Sequence, residues 1–205
     1  MKTMLLTIGA AMLLLASCSK DIDISTGKIQ DPPIVTDPVP ANKEYVQYLI
    51  KQGEQYSSYN TFASVSYSEL KFKVKFDSSA IYQTVDPTNQ KDINKLYGFS
   101  DNNAPHHQFS ARFGWRWLNN ALHIFAYTYN NSVLDLKEIG TVVLGAENDY
   151  SIKVAGENYI FTLNGVVLNM ARASTTTKAD GYQLFPYFGG DENAPHDIRI
   201  WIKQL

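Results

Sequence analysis

The stretch Lys71-Phe72-Lys73-Val74-Lys75-Phe76 decides the fold class, because charged and apolar side chains alternate along it without interruption. Successive side chains of a β-strand point to opposite faces, so Phe72, Val74 and Phe76 would lie on one side and the three lysines on the other. The pattern therefore predicts a strand with one face in a hydrophobic core and the other face in water.

Similar runs of alternating, β-branched or aromatic residues follow along the chain and raise the number of predicted strands to nine. The further strands are predicted at 108–117, 121–130, 139–144, 150–155, 158–163, 166–170, 182–188 and 197–203. Asn164-Gly165 separates two of these runs and is a strong hairpin signal, since both central residues of a type I′ turn need positive φ. Consecutive strands are therefore expected to be antiparallel.

Two stretches are less regular. Residues 92–97, before Gly98, are predicted to form one short helical turn. Residues 44–60 fit either a helix or a strand, and Gly53 with the many tyrosines favours extended chain. Many short strands with almost no helix indicate an all-β fold, an antiparallel two-sheet β-sandwich of the jelly-roll kind.

The N-terminal region has the features of an export signal. Lys2 is followed by an apolar run over residues 4–15 and by small residues that end at Cys18. The apolar run is shorter than the roughly 20 residues that a membrane-spanning helix needs, so residues 1–18 are predicted to be a cleaved signal peptide.

Two further segments follow the signal. Residues 19–43 contain four prolines and few large side chains, which predicts an extended tether. Residues 44–205 contain no second linker and are long enough to bury a proper core, so they are predicted to form a single β-sandwich domain.

The sequence Leu15-Ala16-Ser17-Cys18 resembles the lipobox of bacterial lipoproteins, in which the cysteine is acylated and becomes the mature N-terminus. Cys18 is the only cysteine in the chain, so an internal disulfide is excluded. The resemblance implies lipidation at Cys18 and a lipid-anchored protein of the cell envelope, in the outer membrane and facing the outside or the periplasm. The alternative is an unmodified thiol after an ordinary secretory signal.

The domain itself is similar to the concanavalin-like sandwiches of exported sugar-binding and sugar-cleaving proteins. The similarity rests on the strand pattern and on three stretches, "ARFGWRW" at 111–117, "FPYFGG" at 185–190 and "APHDIRIWI" at 194–202. It implies a polysaccharide or glycan partner, although the fold does not name a function. Without Lys2 the chain has 17 basic and 20 acidic residues, a balance that does not favour nucleic acid.

The outward faces of several predicted strands carry arginine and aromatic residues. If these strands share one sheet, the residues would form a surface on which sugar rings stack while arginines bind carboxylates or sulfates. Non-catalytic binding of a polysaccharide is the main functional prediction, and the alternative is that the arginines pair with acids and the rings complete the core. The predicted ligand-binding residues are Arg112, Arg116, His123, Tyr127, Tyr129, Arg199 and Trp201.

Whether the protein is an enzyme is left uncertain, with the balance against it. Glycoside hydrolysis needs two carboxylates about 5 to 9.5 Å apart, and no predicted strand carries such a pair. A polysaccharide lyase needs a histidine or tyrosine base and an arginine to neutralise a uronate carboxylate, and His196, Tyr127 and Arg112 are the main candidates. Other candidates are His106, His107, His123, Tyr187 and Arg116. A third class is a structural or adhesive surface protein.

A hexapeptide is nearly repeated, "DNNAPH" at 101–106 and "DENAPH" at 191–196. If both loops lie at one end of the sandwich, Asp101, His106, Asp191 and His196 would meet, with oxygen ligands for a structural calcium ion or histidines for zinc. The alternative is that the two hexapeptides are simply turns built from the same turn-forming residues. No other cofactor is expected.

Overall fold

The computed structural model describes residues 44–205, so the predicted signal peptide, Cys18 and the tether lie outside the described residues. The described chain contains twelve strands and two short 3₁₀ helices. None of the helices in this part of the chain is long and apolar enough to cross a membrane.

The strands in the first half are β1 (Val46–Ile50), β2 (Ser64–Tyr67), β3 (Glu69–Phe76), β4 (Asn94–Ser100), β5 (Phe109–Leu118) and β6 (Ala121–Asn130). Those in the second half are β7 (Val133–Val142), β8 (Glu147–Ala155), β9 (Asn158–Leu163), β10 (Val166–Ala171), β11 (Ala179–Leu184) and β12 (Ile198–Gln204). The 3₁₀ helices are Ser78–Ala80 and Pro87–Lys91.

The strands form two six-stranded sheets in which all paired neighbours are antiparallel. The first sheet has the order β1-β12-β3-β8-β9-β10, and the second has the order β2-β11-β4-β5-β6-β7. The predicted all-β, two-sheet sandwich of the jelly-roll kind is therefore confirmed.

The core lies between the two sheets and follows the alternation in the sequence. Phe72, Val74 and Phe76 of β3 are fully buried, whereas the lysines between them remain accessible. The ring of Phe72 lies 5.9 Å from that of Phe113, and the ring of Phe76 lies 5.4 Å from that of Trp115. Because Phe113 and Trp115 come from β5 in the second sheet, these contacts join the sheets through the middle of the sandwich.

The predicted helical turn over residues 92–97 is wrong, since Asn94–Ser100 is the strand β4. β4 is a central strand with β11 on one side and β5 on the other, so pairing on both edges outweighs the weak local helix signal. The 3₁₀ helix lies just before it, at Pro87–Lys91, and Asp86 caps that helix through the N–H of Thr88. Extended structure in residues 44–60 is confirmed by β1.

Two strands differ most from the predicted bounds. β11 covers Ala179–Leu184 rather than 182–188, because Pro186 has no N–H to donate to a ladder. β7 begins at Val133, six residues before the predicted start, and is an edge strand with an irregular burial pattern that hides its alternation.

Candidate functional site

A cleft of about 550 Å³ lies on the outer face of the second sheet, away from the core. Its floor comes from β4, β5 and β6. Its walls come from the β1–β2 connection, from β11 with the segment after it, and from the loop before β5. The cleft contains two cationic side chains and two histidines, and none of the described residues that line it is acidic. Such a lining favours an anionic ligand.

Arg112 lies on the floor of this cleft and is placed there by the pleat of β5. Phe113 and Trp115 of the same strand point into the core, so Arg112 points to the opposite face. Gly98 of β4 lies directly across from it, and a Cβ on Gly98 would stand 2.3 Å from the Cβ of Arg112. Glycine at position 98 therefore provides the space that Arg112 occupies.

Arg112 is 6 % exposed, and its guanidinium has an unsatisfied donor. It stacks on the ring of Tyr127 at 5.2 Å, and its Nε makes no hydrogen bond within the described chain. Burial lowers the pKa of Arg112, yet a guanidinium keeps its proton in proteins. A buried cation with a free N–H destabilises the folded protein unless an anion accepts that hydrogen bond. The position is therefore preorganised for a carboxylate or a similar group.

Lys95 of β4 supplies the second cation. A register shift between Lys95 and Gly98 keeps both residues on the cleft side of β4. The Nζ of Lys95 donates to the carbonyl of Ile93 at 2.8 Å and lies 5.4 Å from the Tyr127 ring centre. Burial, with the nearby charge of Arg112, lowers the pKa of Lys95 to about 8. Two cations thus share one aromatic ring, and the like charges destabilise each other until an anion binds.

His106 and Tyr182 form a hydrogen-bonded pair in the wall. The Tyr182 hydroxyl accepts the backbone N–H of His106 at 2.9 Å and lies 2.9 Å from the imidazole Nδ1. Burial lowers the pKa of His106 to about 4, with further contributions from the charges of Arg112 and His107. The imidazole is therefore neutral at pH 7 and can accept a proton.

The structure brings together some of the predicted ligand-binding residues and separates others. Arg112, Tyr127 and Tyr129 line the cleft, as do three of the further lyase candidates, His106, His107 and Tyr187. Arg116 and His123 lie on the same sheet but have partners elsewhere. Arg116 donates to the Lys91 carbonyl at 2.8 Å, and His123 Nδ1 lies 2.7 Å from a Glu138 carboxylate oxygen.

The prediction of one shared surface is wrong for Arg199 and Trp201. Both lie on β12, which belongs to the first sheet, so they cannot line a cleft on the outer face of the second sheet. His196 also lies outside this cleft. It lines a separate cavity, and its Nε2 donates to the Ser79 carbonyl at 2.9 Å.

The two hexapeptides do not form a metal site. His106 precedes the start of β5, whereas His196 lines a cavity beside residues 118–120 at the other end of that strand. Ten strand residues separate the two ends by roughly 30 Å. Within the described residues no group of three or more possible ligands is close enough to hold a metal ion.

The two hexapeptide turns also differ in backbone structure and in role. Asn102 and Asn103 have positive φ, whereas Asn193 does not. The Asp101 carboxylate pairs with Arg172 inside the protein, whereas Asp191 is exposed. The similarity is therefore one of turn-forming composition.

Several cleft residues were not predicted from the sequence, and Lys95 and Tyr182 are the two that carry polar groups used in the site. Lys95 fell in the stretch interpreted as a helical turn, so no sheet face could be assigned to it. Tyr182 lay in a predicted strand, but the residues around it did not alternate in a way that showed which face of the sheet its side chain occupies. The segment after β11 is rich in aromatic residues and glycine, and this composition could have indicated that it belongs to the site. In the structure, the backbones of Tyr187 and Lys95 exchange hydrogen bonds of 2.8 and 3.0 Å.

No family model and no curated protein matches the sequence. Among solved structures, alginate lyase AlyC3 is similar with a TM-score of 0.54 and 10 % identity, over 79 % of this chain and 74 % of that chain. Alginate lyase PA1167 from Pseudomonas aeruginosa has a TM-score of 0.52 and 9 % identity, over 83 % of this chain and 86 % of that chain. The shared feature at this level of identity is the fold, a jelly-roll β-sandwich.

Proposed function

We propose that the domain binds an acidic polysaccharide in the cleft, with a uronate carboxylate held by Arg112. The observation that carries the proposal is the buried Arg112 guanidinium, which has a free Nε and no acidic side chain around it in the described cleft. A planar carboxylate matches the fork of a guanidinium, and flat rings such as Tyr127 and Tyr129 suit the faces of sugar rings. The similarity to alginate lyase AlyC3 in complex with dimannuronate, with a TM-score of 0.51 and 12 % identity over 79 % of this chain and 73 % of that chain, supports the proposal at the level of fold.

The lipobox resemblance extends the proposal to the location of the domain. We infer that Cys18 carries the lipid anchor and that residues 19–43 hold the domain at the cell envelope, where exported polysaccharides are present. Membrane contact would then occur through the anchor alone.

The proposal is tested by titrating the protein from residue 19 onward with alginate, polygalacturonate and a neutral β-glucan in a calorimeter. Binding to at least one polyuronate, and weaker binding as salt is added, is expected because the contact is ionic. Equal binding of the neutral glucan, or no binding of any polyuronate, would overturn it.

Lys95→Arg is expected to remove a pH dependence from polyuronate binding. The pKa of Lys95 is about 8, so its charge is present below pH 8 and is lost as the pH rises above that value. A bound carboxylate favours the charged form, so the affinity of the unmodified protein should fall about fivefold to tenfold between pH 7 and pH 10. The variant keeps its charge and should show a flat profile.

The other groups that face Lys95 do not produce this profile. Arg112 remains charged, His106 titrates near pH 4, and the pKa of Tyr127 is raised to about 12 by burial. The Asp92 charge raises the pKa of Lys95 and so opposes the effects of burial and of Arg112. If the affinity of Lys95→Arg for the polyuronate falls by the same factor between pH 7 and pH 10, the role of Lys95 is contradicted.

A second candidate function is cleavage of the polyuronate by β-elimination, and the His106–Tyr182 pair favours it. In that reaction a base removes the proton from the carbon beside the carboxylate, its electrons form a carbon–carbon double bond, and the glycosidic C–O bond breaks and takes up a proton. Arg112 would neutralise the carboxylate, neutral His106 would accept the proton, and the Tyr182 hydroxyl would supply one to the leaving oxygen.

His106→Gln and Tyr182→Phe are each expected to lower any lyase rate by about a hundredfold or more while polyuronate binding persists. The rate is measured from the ultraviolet absorbance of the unsaturated product. His123→Gln is the control, since His123 lies on the same sheet but outside the cleft. Binding without any absorbance change in the unmodified protein would leave the non-catalytic proposal and eliminate this one.

A further inference from the structure

The β1–β2 connection, residues 51–63, carries three large aromatic side chains that are mostly exposed. Tyr56 is 65 % exposed, Tyr59 69 % and Phe62 51 %. Exposed rings concentrated on one loop beside a cleft are typical of a binding surface. Tyr56 and Phe62 line the cleft, whereas Tyr59 lines only a separate groove between the edges of the two sheets.

The two cleft-lining rings are held in place by tyrosine rings of β11 and of the segment that follows it. Tyr56 packs edge-on against Tyr187 with 4.9 Å between ring centres, and Phe62 packs against Tyr182 at 5.5 Å. Rings that are already ordered lose little conformational freedom when a ligand stacks on them.

The backbone of this loop is also fixed at several points. The Tyr187 hydroxyl donates to the Gln55 side-chain oxygen at 2.5 Å, and the N–H of Gln183 donates to the Ala63 carbonyl at 2.9 Å. Ser58 pairs with Leu49 of β1 through two hydrogen bonds of 2.8 and 3.0 Å. The loop is therefore a built part of the cleft wall.

The two ring pairs lie beside different polar residues of the cleft. Tyr187 pairs with the backbone of Lys95, and Tyr182 bonds to His106. Tyr182 and Tyr187 are five residues apart in the chain, which allows a separation of up to about 17 Å in extended backbone. The ring pairs can therefore contact different sugar units of one ligand chain.

We propose that Tyr56 and Phe62 form two stacking subsites for the sugar units adjacent to the one whose carboxylate is bound at Arg112. The cleft would then recognise a stretch of several units of an acidic polysaccharide rather than a single sugar. This inference rests on the proposed function. It adds the expectation that the binding affinity increases with the length of the oligosaccharide.

The test compares the protein from residue 19 onward with Tyr56→Ala, Phe62→Ala and Tyr59→Ala. Each is titrated with alginate di- and hexasaccharides and with a neutral glucan hexasaccharide. The unmodified protein should bind the acidic hexasaccharide more tightly than the disaccharide. Tyr56→Ala and Phe62→Ala should each lose about fivefold in affinity for the hexasaccharide and much less for the disaccharide.

Tyr59→Ala is the matched control, because Tyr59 is equally exposed on the same loop but does not line the cleft. Tyr56→Trp should still bind the acidic hexasaccharide more tightly than the disaccharide. This result would exclude a general disturbance of the loop as the cause of the loss in Tyr56→Ala. If Tyr56→Ala and Phe62→Ala bind the acidic hexasaccharide as the unmodified protein does, the subsites are overturned and the function at Arg112 remains.

Failure of the proposed function has a different signature. If the neutral hexasaccharide binds as well as the acidic one and Tyr56→Ala and Phe62→Ala weaken both, the stacking subsites stand and the anionic site fails. If the unmodified protein binds neither these oligosaccharides nor polygalacturonate, both proposals fall.

Discussion

Arg112→Gln is expected to lower the affinity for a polyuronate by about 30-fold to 100-fold. Glutamine keeps the side chain polar but removes the charge and the bidentate fork, and each hydrogen bond between charged groups contributes about 1.5 to 3 kcal/mol. The free Nε that a carboxylate would complete is also lost. Calorimetric titration with alginate or polygalacturonate measures the change.

Two further variants make the Arg112 result specific. Arg199→Gln removes an arginine from the outer face of the first sheet and should leave the affinity within about twofold, because β12 has no part in the cleft. Arg112→Lys keeps the charge without the planar fork and should recover only part of the affinity. The stability of Arg112→Gln should be unchanged or higher, since a buried charge without an acidic partner is removed. An unchanged affinity in Arg112→Gln would refute the carboxylate site.

Arg172→Met is expected to cause the largest loss of stability, about 3 to 5 kcal/mol in the free energy of unfolding. The Asp101 carboxylate is completely buried, with one oxygen 2.8 Å from Arg172 Nε and the other 3.2 Å from Nη2. The Tyr159 hydroxyl donates to the same carboxylate at 2.6 Å. Removing the guanidinium leaves a buried negative charge without its counterion, and this costs more than the pair itself contributes. Urea unfolding followed by tryptophan fluorescence measures the loss.

The control for this prediction is an exposed ion pair. Lys71 and Glu69 lie 3.1 Å apart at the surface, and Lys71→Met should change the free energy of unfolding by less than about 1 kcal/mol. The double variant Asp101→Asn with Arg172→Met should regain part of the lost stability, because the uncompensated charge is gone. A loss of less than 1 kcal/mol in Arg172→Met would show that the carboxylate has another means of neutralisation.

The pair also has an architectural role that the sequence did not reveal. Arg172 follows β10 of the first sheet, and Asp101 follows β4 of the second, so the ion pair joins the ends of strands from both sheets. Asp101 was predicted as a candidate metal ligand because it begins a loop that contains a histidine. Its actual partner lies 71 positions away in the chain, and no local pattern reports such a contact.

What the sequence alone determined was the fold class and much of the strand content. Alternation such as that of Lys71–Phe76 depends on the pleat of a single strand, so it can be interpreted without knowing the neighbours. The orientation of Arg112 followed in the same way, because Phe113 and Trp115 had to face the core. Turn residues such as Asn164-Gly165 likewise depend only on local backbone geometry.

Only the tertiary structure decided which outward faces meet. Arg112 and Arg199 have equivalent patterns in the sequence, yet β5 and β12 belong to different sheets, because sheet order depends on pairing between distant strands. Lys95 reaches the cleft through pairing of β4 on both edges and a register shift, which overrode the local helix signal. The cleft is thus a product of long-range strand pairing, whereas the strands that line it are a product of local side-chain periodicity.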